Sequence, residues 1–274
     1  MRVCVVNHPQ VQLSGPQAVL DSLRIESWHF DRELPADPAE LDDTQLVLTL
    51  GGDGTFLHGA RLALPRGIPV LGVNLGRLGM LTELEPAGME AGLRRFMAGD
   101  YRLEERAGII GELARRGEIR ESGLALNEIM IHRSPSLKLI RLALSMDDQE
   151  IGTIDADGVL VATATGSTAY SLALGGPILE PTLSDLVLVP MNPFALTVRP
   201  IVLNPNVHVA VSPVSSAATV VTDGYLTWAA ESGDELRIRA YPERLKVVRF
   251  RGPEEFYRLL RQKIGWGAPL VPRP

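Results

Sequence analysis

An α/β domain followed by an all-β domain is the fold class the sequence predicts, and three observations predict it. Over the first hundred residues, short continuous apolar runs alternate with stretches of helical spacing. From about Tyr101 the runs change character: polar and apolar residues alternate, and Pro and Gly break them often. The chain then closes on one amphipathic helix. A length of 274 residues suits two domains and buries a large core without staples.

The elements follow in order. RVCVV at 2–6 reads as a short buried strand, and residues 16–23 have helical spacing. QLVLTL at 45–50 is a continuous apolar strand that runs straight into Gly51-Gly52. Leu57, Ala60, Arg61 and Leu64 then step as a helix, which Pro65-Arg66-Gly67 ends. Residues 68–73 form another buried strand and residues 86–97 another helix. Strands that are apolar on both faces and joined by helices require a parallel sheet covered on both sides. Beyond Tyr101, residues 139–146, 207–212 and 236–241 alternate, the last with Arg237 and Arg239 outward, which is the texture of a β-sandwich-like unit. The closing helix has Pro253 at its start, Glu254 and Glu255 in its first turn, and Phe256, Leu259, Leu260 and Ile264 on one stripe. The β region offers that stripe no partner helix, so the helix is expected to pack back on the first domain. The expected domains are therefore 1–100 with 253–274, and 101–252.

Composition narrows the function. The 27 basic and 33 acidic residues leave a net charge of −6 with no basic run, which speaks against a nucleic-acid partner. No apolar stretch reaches transmembrane length, so no membrane partner is expected. Cys4 is the only cysteine and lies in an apolar run, as expected for a core thiol in a reducing cytoplasm. Only three of the 27 basic residues are lysines, Lys138, Lys246 and Lys263. The five histidines, His8, His29, His58, His132 and His208, show no metal-ligand spacing, and Ser167 is not in a nucleophile elbow.

The strongest local signal is Gly51-Gly52-Asp53-Gly54-Thr55, at the end of one strand and the start of a helix. Ligands of open α/β sheets bind beyond the carboxyl ends of strands. Glycines there let the backbone approach a polyphosphate, and the helix start offers free N–H groups to the anion. Asp53 is the one carboxylate in this nest. Beside a phosphate it must hold Mg²⁺ or take a proton from an attacking hydroxyl. The same residues also make an ordinary glycine turn with an aspartate helix cap. A second glycine turn, Asn74 to Gly79, follows the next strand and carries Arg77, a phosphate contact or a plain surface residue.

A third stretch runs from Asp157-Gly158 through Thr165-Gly166-Ser167-Thr168-Ala169-Tyr170 to Gly175-Gly176-Pro177. Small and hydroxylated residues at that density make a poor core and a good close-fitting polar surface, with Tyr170 able to stack on a base. A tight strand–turn–helix corner is the other reading. Asn127-Glu128 suits ribose hydroxyls or an adenine edge, and equally a solvated loop.

Taken together, GGDGT at 51–55, NLGRLGMLTE at 74–83, NE at 127–128, DG at 157–158, TGSTAY at 165–170, GGP at 175–177, VRP at 198–200 and KIGWG at 263–267 resemble bacterial NAD kinases in order and spacing. GGDGT alone is shared with lipid kinases and 6-phosphofructokinases; TGSTAY downstream of NE is far more specific. The resemblance implies transfer of a phosphoryl group from ATP, or from inorganic polyphosphate, to the 2′-hydroxyl of NAD's adenosine ribose, with Mg²⁺ as the metal. It implies an α/β domain plus a β-sandwich, assembled as homodimers or homotetramers. By the same resemblance Asp53 is the general base, and Gly51, Gly52, Gly54 and Thr55 form the nucleotide loop. Asn127 and Glu128 hold the adenosine part. Asp157, Thr168, Ala169, Tyr170, Ser171 and Ala173 line the NAD site, with Lys138 and Asp155 at further contact positions and Asp157 crossing a subunit interface. Two residues depart from the family: Ala164 replaces a usual Pro, which is expected to loosen the turn before Thr165, and Phe194 replaces a frequent His. A lipid kinase of the same GGDGT group and a non-catalytic dinucleotide sensor are the alternatives; the second could dispense with Asp53.

Overall fold

The computed structural model describes residues 1–30, 41–76, 79–134, 138–214 and 216–267. The chain forms two compact units, Met1–Glu105 with the stretch from Leu245, and Arg106–Arg244.

The first unit is built on a six-stranded sheet. Its strands are β1 (Arg2–Asn7), β2 (Glu26–His29), β3 (Leu46–Gly51), β4 (Val70–Asn74), β5 (Arg102–Arg106) and, from the far end of the chain, β18 (Leu245–Arg249). Their order is β2-β1-β3-β4-β18-β5, and the β2–β1, β1–β3, β3–β4 and β4–β18 pairs are parallel. All residues of β3 and β4 are buried, because helices cover both faces. On one face Leu46, Leu48 and Leu50 pack with Leu20 of α1 (Ser14–Ser22) and with Met89 and Leu93 at α3 (Met89–Met97). On the other lies α2 (Asp53–Ala63). A Cβ on its Gly59 would stand 2.4 Å from the Thr49 side chain, so the missing side chain sets how closely α2 lies on β3.

The domain boundary differs from the expected one. Residues 245–252 belong to the first unit, because β18 adds to the parallel sheet beside β4 rather than to the β region before it. The strand β2 has no counterpart in the sequence reading: its four residues are only half-buried or exposed, so they carry no apolar run. The closing helix α5 (Glu255–Ile264) belongs to the first unit, as expected. Its stripe is narrower than the spacing suggested. Leu259 and Leu260 are buried, Phe256 is half-buried, and Ile264 is 38% exposed. Two buried leucines stabilise the docked helix by about 3–6 kcal/mol. Gly265, left-handed at φ 69°, ends it.

The second unit is two six-stranded sheets whose strand pairs are antiparallel. One holds β6 (Ile109–Arg115), β7 (Glu118–Ala125), β9 (Ile140–Met146), β10 (Gln149–Ala156), β14 (Val209–Pro213) and β17 (Glu235–Ala240), in the order β10-β9-β14-β17-β6-β7. The other holds β8 (Glu128–Arg133), β11 (Gly158–Ala162), β12 (Leu186–Met191), β13 (Ile201–Leu203), β15 (Ala218–Thr222) and β16 (Leu226–Ala230), in the order β13-β12-β11-β8-β15-β16. Alternate residues interleave between the sheets, Ile140, Leu142, Val209, Leu236 and Ile238 meeting Ile129, Ile131, Val159, Val161, Leu188 and Val220. The opposite face of the second sheet is covered as well. There Met130, Leu160, Ala162, Val187 and Val189 pack beneath Leu174 and Leu179, which follow the short helix α4 (Tyr170–Ala173). That second cover is why β11 and β12 are apolar at every position.

Candidate functional site

In the first unit β3 ends at Gly51 and α2 begins at Asp53, so a one-residue turn puts the carboxylate at the helix start. Both of its oxygens are held. The Met80 N–H donates to Oδ2 at 2.9 Å and the Leu81 N–H to Oδ1 at 3.0 Å. Lys263 on the last turn of α5 brings its ammonium to 3.5 Å from Oδ2. Two glycines of the two motifs are required by packing. A Cβ on Gly51 would lie 2.3 Å from Thr55 Oγ1, and one on Gly79 would lie 2.4 Å from both Asp53 Oδ1 and Thr82 Oγ1. Gly52 and Gly54 are different, because a Cβ on either would meet nothing within 4 Å. A glycine in a helix costs about 1 kcal/mol relative to Ala, and nothing among the described residues repays it at Gly54. Space kept open at a helix start fits an anion that approaches the backbone. Arg77 and Leu78 of the second glycine turn lie outside the described residues; in the remainder, Gly76 donates its N–H to Asn74 Oδ1 at 3.1 Å.

In the second unit Asn127 and Glu128 stand where the chain enters β8. Asp223, at φ 47° in the β15–β16 hairpin turn, shapes this entry: its Oδ1 accepts the N–H groups of Asn127 at 2.8 Å and Glu128 at 3.1 Å, and its Oδ2 that of Leu126 at 2.9 Å. The Asn127 carbonyl accepts the Thr163 N–H at 2.9 Å. Gly166 lies so close that its Cβ would fall 2.1 Å from that carbonyl oxygen. Glu128 pairs with Ala162 and shares the face of Met130, the face covered by residues 170–179. Burial, with the Asp223 charge second, pushes the Glu128 carboxyl up to about 8, and the Tyr170 N–H offsets this in part. Its Oε2 is buried with no hydrogen-bond partner among the described residues, as is Ser171 Oγ. Buried polar atoms in that condition point to a polar ligand. The corner itself is held by its own hydroxyls. Thr163 Oγ1 donates to the Leu126 carbonyl at 2.5 Å and accepts the Gly166 N–H at 3.1 Å, while Ser167 Oγ donates to the Ala164 carbonyl at 2.6 Å and accepts the Leu179 N–H at 2.9 Å. Ala164 is buried in that turn, and the Ser167 bond holds its carbonyl.

Both units match known proteins. Residues 14–101 match the model of the ATP-NAD kinase N-terminal domain, and residues 126–250 that of the ATP-NAD kinase C-terminal domain. The chain belongs to the ATP-NAD kinase family. Among curated relatives, NAD kinase of Gemmatimonas aurantiaca is 41% identical over 97% of this chain and 96% of its own length. NAD kinase of Heliobacterium modesticaldum is 39% identical over 92% of this chain and 95% of its own. The solved NAD kinase from Archaeoglobus fulgidus, in complex with ATP, superposes with a TM-score of 0.77 at 30% identity, over 95% of this chain and 97% of that one. Yeast NADH kinase complexed with NADH shares the fold, with a TM-score of 0.90 at 23% identity over 100% of this chain and 90% of that one. As a member of the ATP-NAD kinase family, the chain is a phosphotransferase acting on NAD, and the lipid-kinase and sensor readings lapse.

Within the kinase, the structure groups some of the expected residues and separates others. Asn127, Glu128 and Tyr170 meet at one corner. Asp157 stands at the start of β11, where Arg133 Nε donates to Oδ1 at 2.7 Å and Asn192 Nδ2 to Oδ2 at 3.2 Å. Asp155 lies on β10 in the other sheet, and its carboxylate is forked by Arg141 at 2.9 and 2.8 Å, which holds it below the usual carboxylate range. Lys138 is exposed just before β9. Phe194 is 78% exposed and donates its N–H to the Asp155 carbonyl at 2.9 Å. Three residues escaped the sequence reading: Asp223, Lys263 as a partner of Asp53, and Arg249. The last is buried and donates to the Leu81 carbonyl at 2.9 Å, on the residue whose N–H holds Asp53. Asp223-Gly224 is a recognisable hairpin turn, but nothing in it announces a carboxylate that binds residues 126–128.

Proposed function

We propose that the chain transfers the γ-phosphoryl group of ATP to the 2′-hydroxyl of NAD's adenosine ribose, with Asp53 at the reacting hydroxyl. The observation that carries the reading is a carboxylate clamped by the Met80 and Leu81 N–H groups beside Gly52 and Gly54, whose bareness nothing among the described residues requires. Phosphoryl transfer is mainly positioning and charge neutralisation, so an anion nest and one oriented carboxylate supply what this chain must. A ribose hydroxyl is far less acidic than a carboxylic acid. The proton therefore passes to Asp53 late, as the new P–O bond forms and the bond to the leaving diphosphate breaks. The nest suits inorganic polyphosphate as donor on the same grounds.

Magnesium fits as a companion of the phosphates. Among the described residues no three His, Cys, Asp or Glu side chains form a metal cluster. Mg²⁺ is commonly held by one or two carboxylates plus substrate phosphates, so here the phosphates themselves would carry the ion into the nest. When bound, the ion neutralises phosphate charge. Asn127, Glu128 and the stretch Thr168, Ala169, Tyr170, Ser171 and Ala173 serve the adenosine part, supported by the unpartnered Glu128 Oε2 and Ser171 Oγ. Asp157, Asp155 and Lys138 serve as outer contacts. No helix is long and apolar enough to cross a membrane among the described residues. We further infer a cytoplasmic protein that self-associates; the buried thiol of Cys4, which forms no disulfide, and the exposed apolar Phe194, Leu196, Ile201 and Val202 support this.

Asp53→Asn tests the reading. A coupled assay of NADP formation from ATP, Mg²⁺ and NAD is expected to show kcat reduced about 10²–10⁴-fold with NAD still bound. A folded variant with the parent's kcat would remove Asp53 from the chemistry. Replacing ATP by inorganic polyphosphate in the same assay settles the donor.

A further inference from the structure

We propose that Lys263, on the closing helix, is a catalytic cation that holds the transferring phosphoryl group beside Asp53, an inference that rests on the reading of Asp53 given above. The problem it solves is electrostatic. A nest that admits a triphosphate next to a carboxylate brings like charges together, and the Met80 and Leu81 N–H groups that hold Asp53 bring no net charge to offset this. Among the described residues Lys263 is the only cation within 4 Å of that carboxylate, at 3.5 Å. That separation is an ion pair longer than a saturated hydrogen bond, so the ammonium keeps donors for a second oxygen. The pair is open to an incoming ligand, with 27% of the Lys263 and 32% of the Asp53 side chain exposed.

Residue choice points the same way. This chain uses arginine for all but three of its 27 basic residues, and Arg115 and Arg141 grip Asp234 and Asp155 as two-pronged guanidinium forks. Beside Asp53 it places a lysine, whose compact charge and three rotatable donors pass between carboxylate and phosphate more freely than a planar fork does. The ordinary reading of a lysine in a last helical turn is a partner for the helix dipole. That role leaves the choice of Lys over Arg open and gives no reason for the ammonium to face Asp53. The helix also explains how the residue is held there: Leu259 and Leu260 are buried, and Gly265 stops the helix two residues beyond Lys263. During transfer the 2′-hydroxyl proton passes to Asp53, the hydroxyl oxygen bonds the γ-phosphorus, and the bond to the leaving ADP oxygen breaks. Lys263 holds a γ-phosphoryl oxygen throughout and neither gains nor loses a proton.

The test uses the full chain in four forms: parent, Lys263→Ala, Lys263→Arg and Asp53→Asn, each checked for an unchanged circular-dichroism spectrum and thermal midpoint. Lys263→Ala is expected to lower kcat about 10²–10³-fold, the usual loss for one charge-stabilising donor. The KM for ATP rises while the KM for NAD stays within about threefold. Added propylammonium restores part of the lost kcat, and Lys263→Arg retains more activity than Lys263→Ala. A Lys263→Ala kcat within about threefold of the parent, or a loss that neither propylammonium nor arginine relieves, overturns the inference while an inactive Asp53→Asn leaves the reading of Asp53 standing. An active Asp53→Asn would bring down both.

Discussion

Arg249→Met is the perturbation that tests how the first unit holds the loop that clamps Asp53. The Arg249 guanidinium, 8% exposed, reaches Glu83 Oε2 at 3.3 Å and Glu104 Oε1 at 3.1 Å, carboxylates that are 3% and 10% exposed. It also donates to the Leu81 carbonyl at 2.9 Å. Methionine fills the volume and removes the charge, leaving two buried carboxylates without their shared cation. Breaking such a pair costs about 3–5 kcal/mol. Here the lower figure applies, because each carboxylate keeps other donors. Glu83 Oε1 still accepts the N–H groups of Phe250 at 2.8 Å and Arg251 at 3.1 Å, and Glu104 Oε2 still faces Arg102 at 3.2 Å. The expected loss is about 3 kcal/mol in urea unfolding of the first unit. Activity should fall further than stability at temperatures where the variant remains folded, since the freed Leu81 carbonyl loosens the N–H that orients Asp53. A destabilisation below about 1 kcal/mol would show that the network is not a buried charge cluster. Unchanged kcat in a destabilised variant would show that Leu81 does not depend on it.

Two further outcomes are expected. Gly79→Ala places a methyl group 2.4 Å from Asp53 Oδ1, so kcat should drop at least about tenfold for a stability cost of about 1–3 kcal/mol; a parent-like kcat would mean the loop yields without moving the carboxylate. For Glu128, folding raises the carboxyl from 4.5 to about 8. The penalty is absent below pH 4.5, grows as pH rises towards 8, and is constant above it. Glu128→Gln should therefore gain stability over the parent progressively across that window, and a pH-independent difference would refute the burial argument.

The sequence by itself determined the parts that rest on neighbouring residues. A buried run ending in Gly51-Gly52-Asp53 is a strand, a turn and a helix start, because apolar continuity and bare glycines act over a few residues. The alternation in 139–146 and 236–241 likewise specified two-faced strands of a sandwich, and the Gly51–Thr55 loop and the Asn127-Glu128 corner were legible as motifs. The tertiary structure decided what lies far apart in the chain. It put β18 beside β4, set Arg249 against Glu83 and Glu104, turned Asp223 onto residues 126–128, and brought Lys263 to Asp53. Each of these contacts joins residues at least 95 positions apart. Side-chain spacing along a strand or helix records which face is buried, but a charged residue's partner is set by where that face lands in the folded chain, and local periodicity carries no term for that.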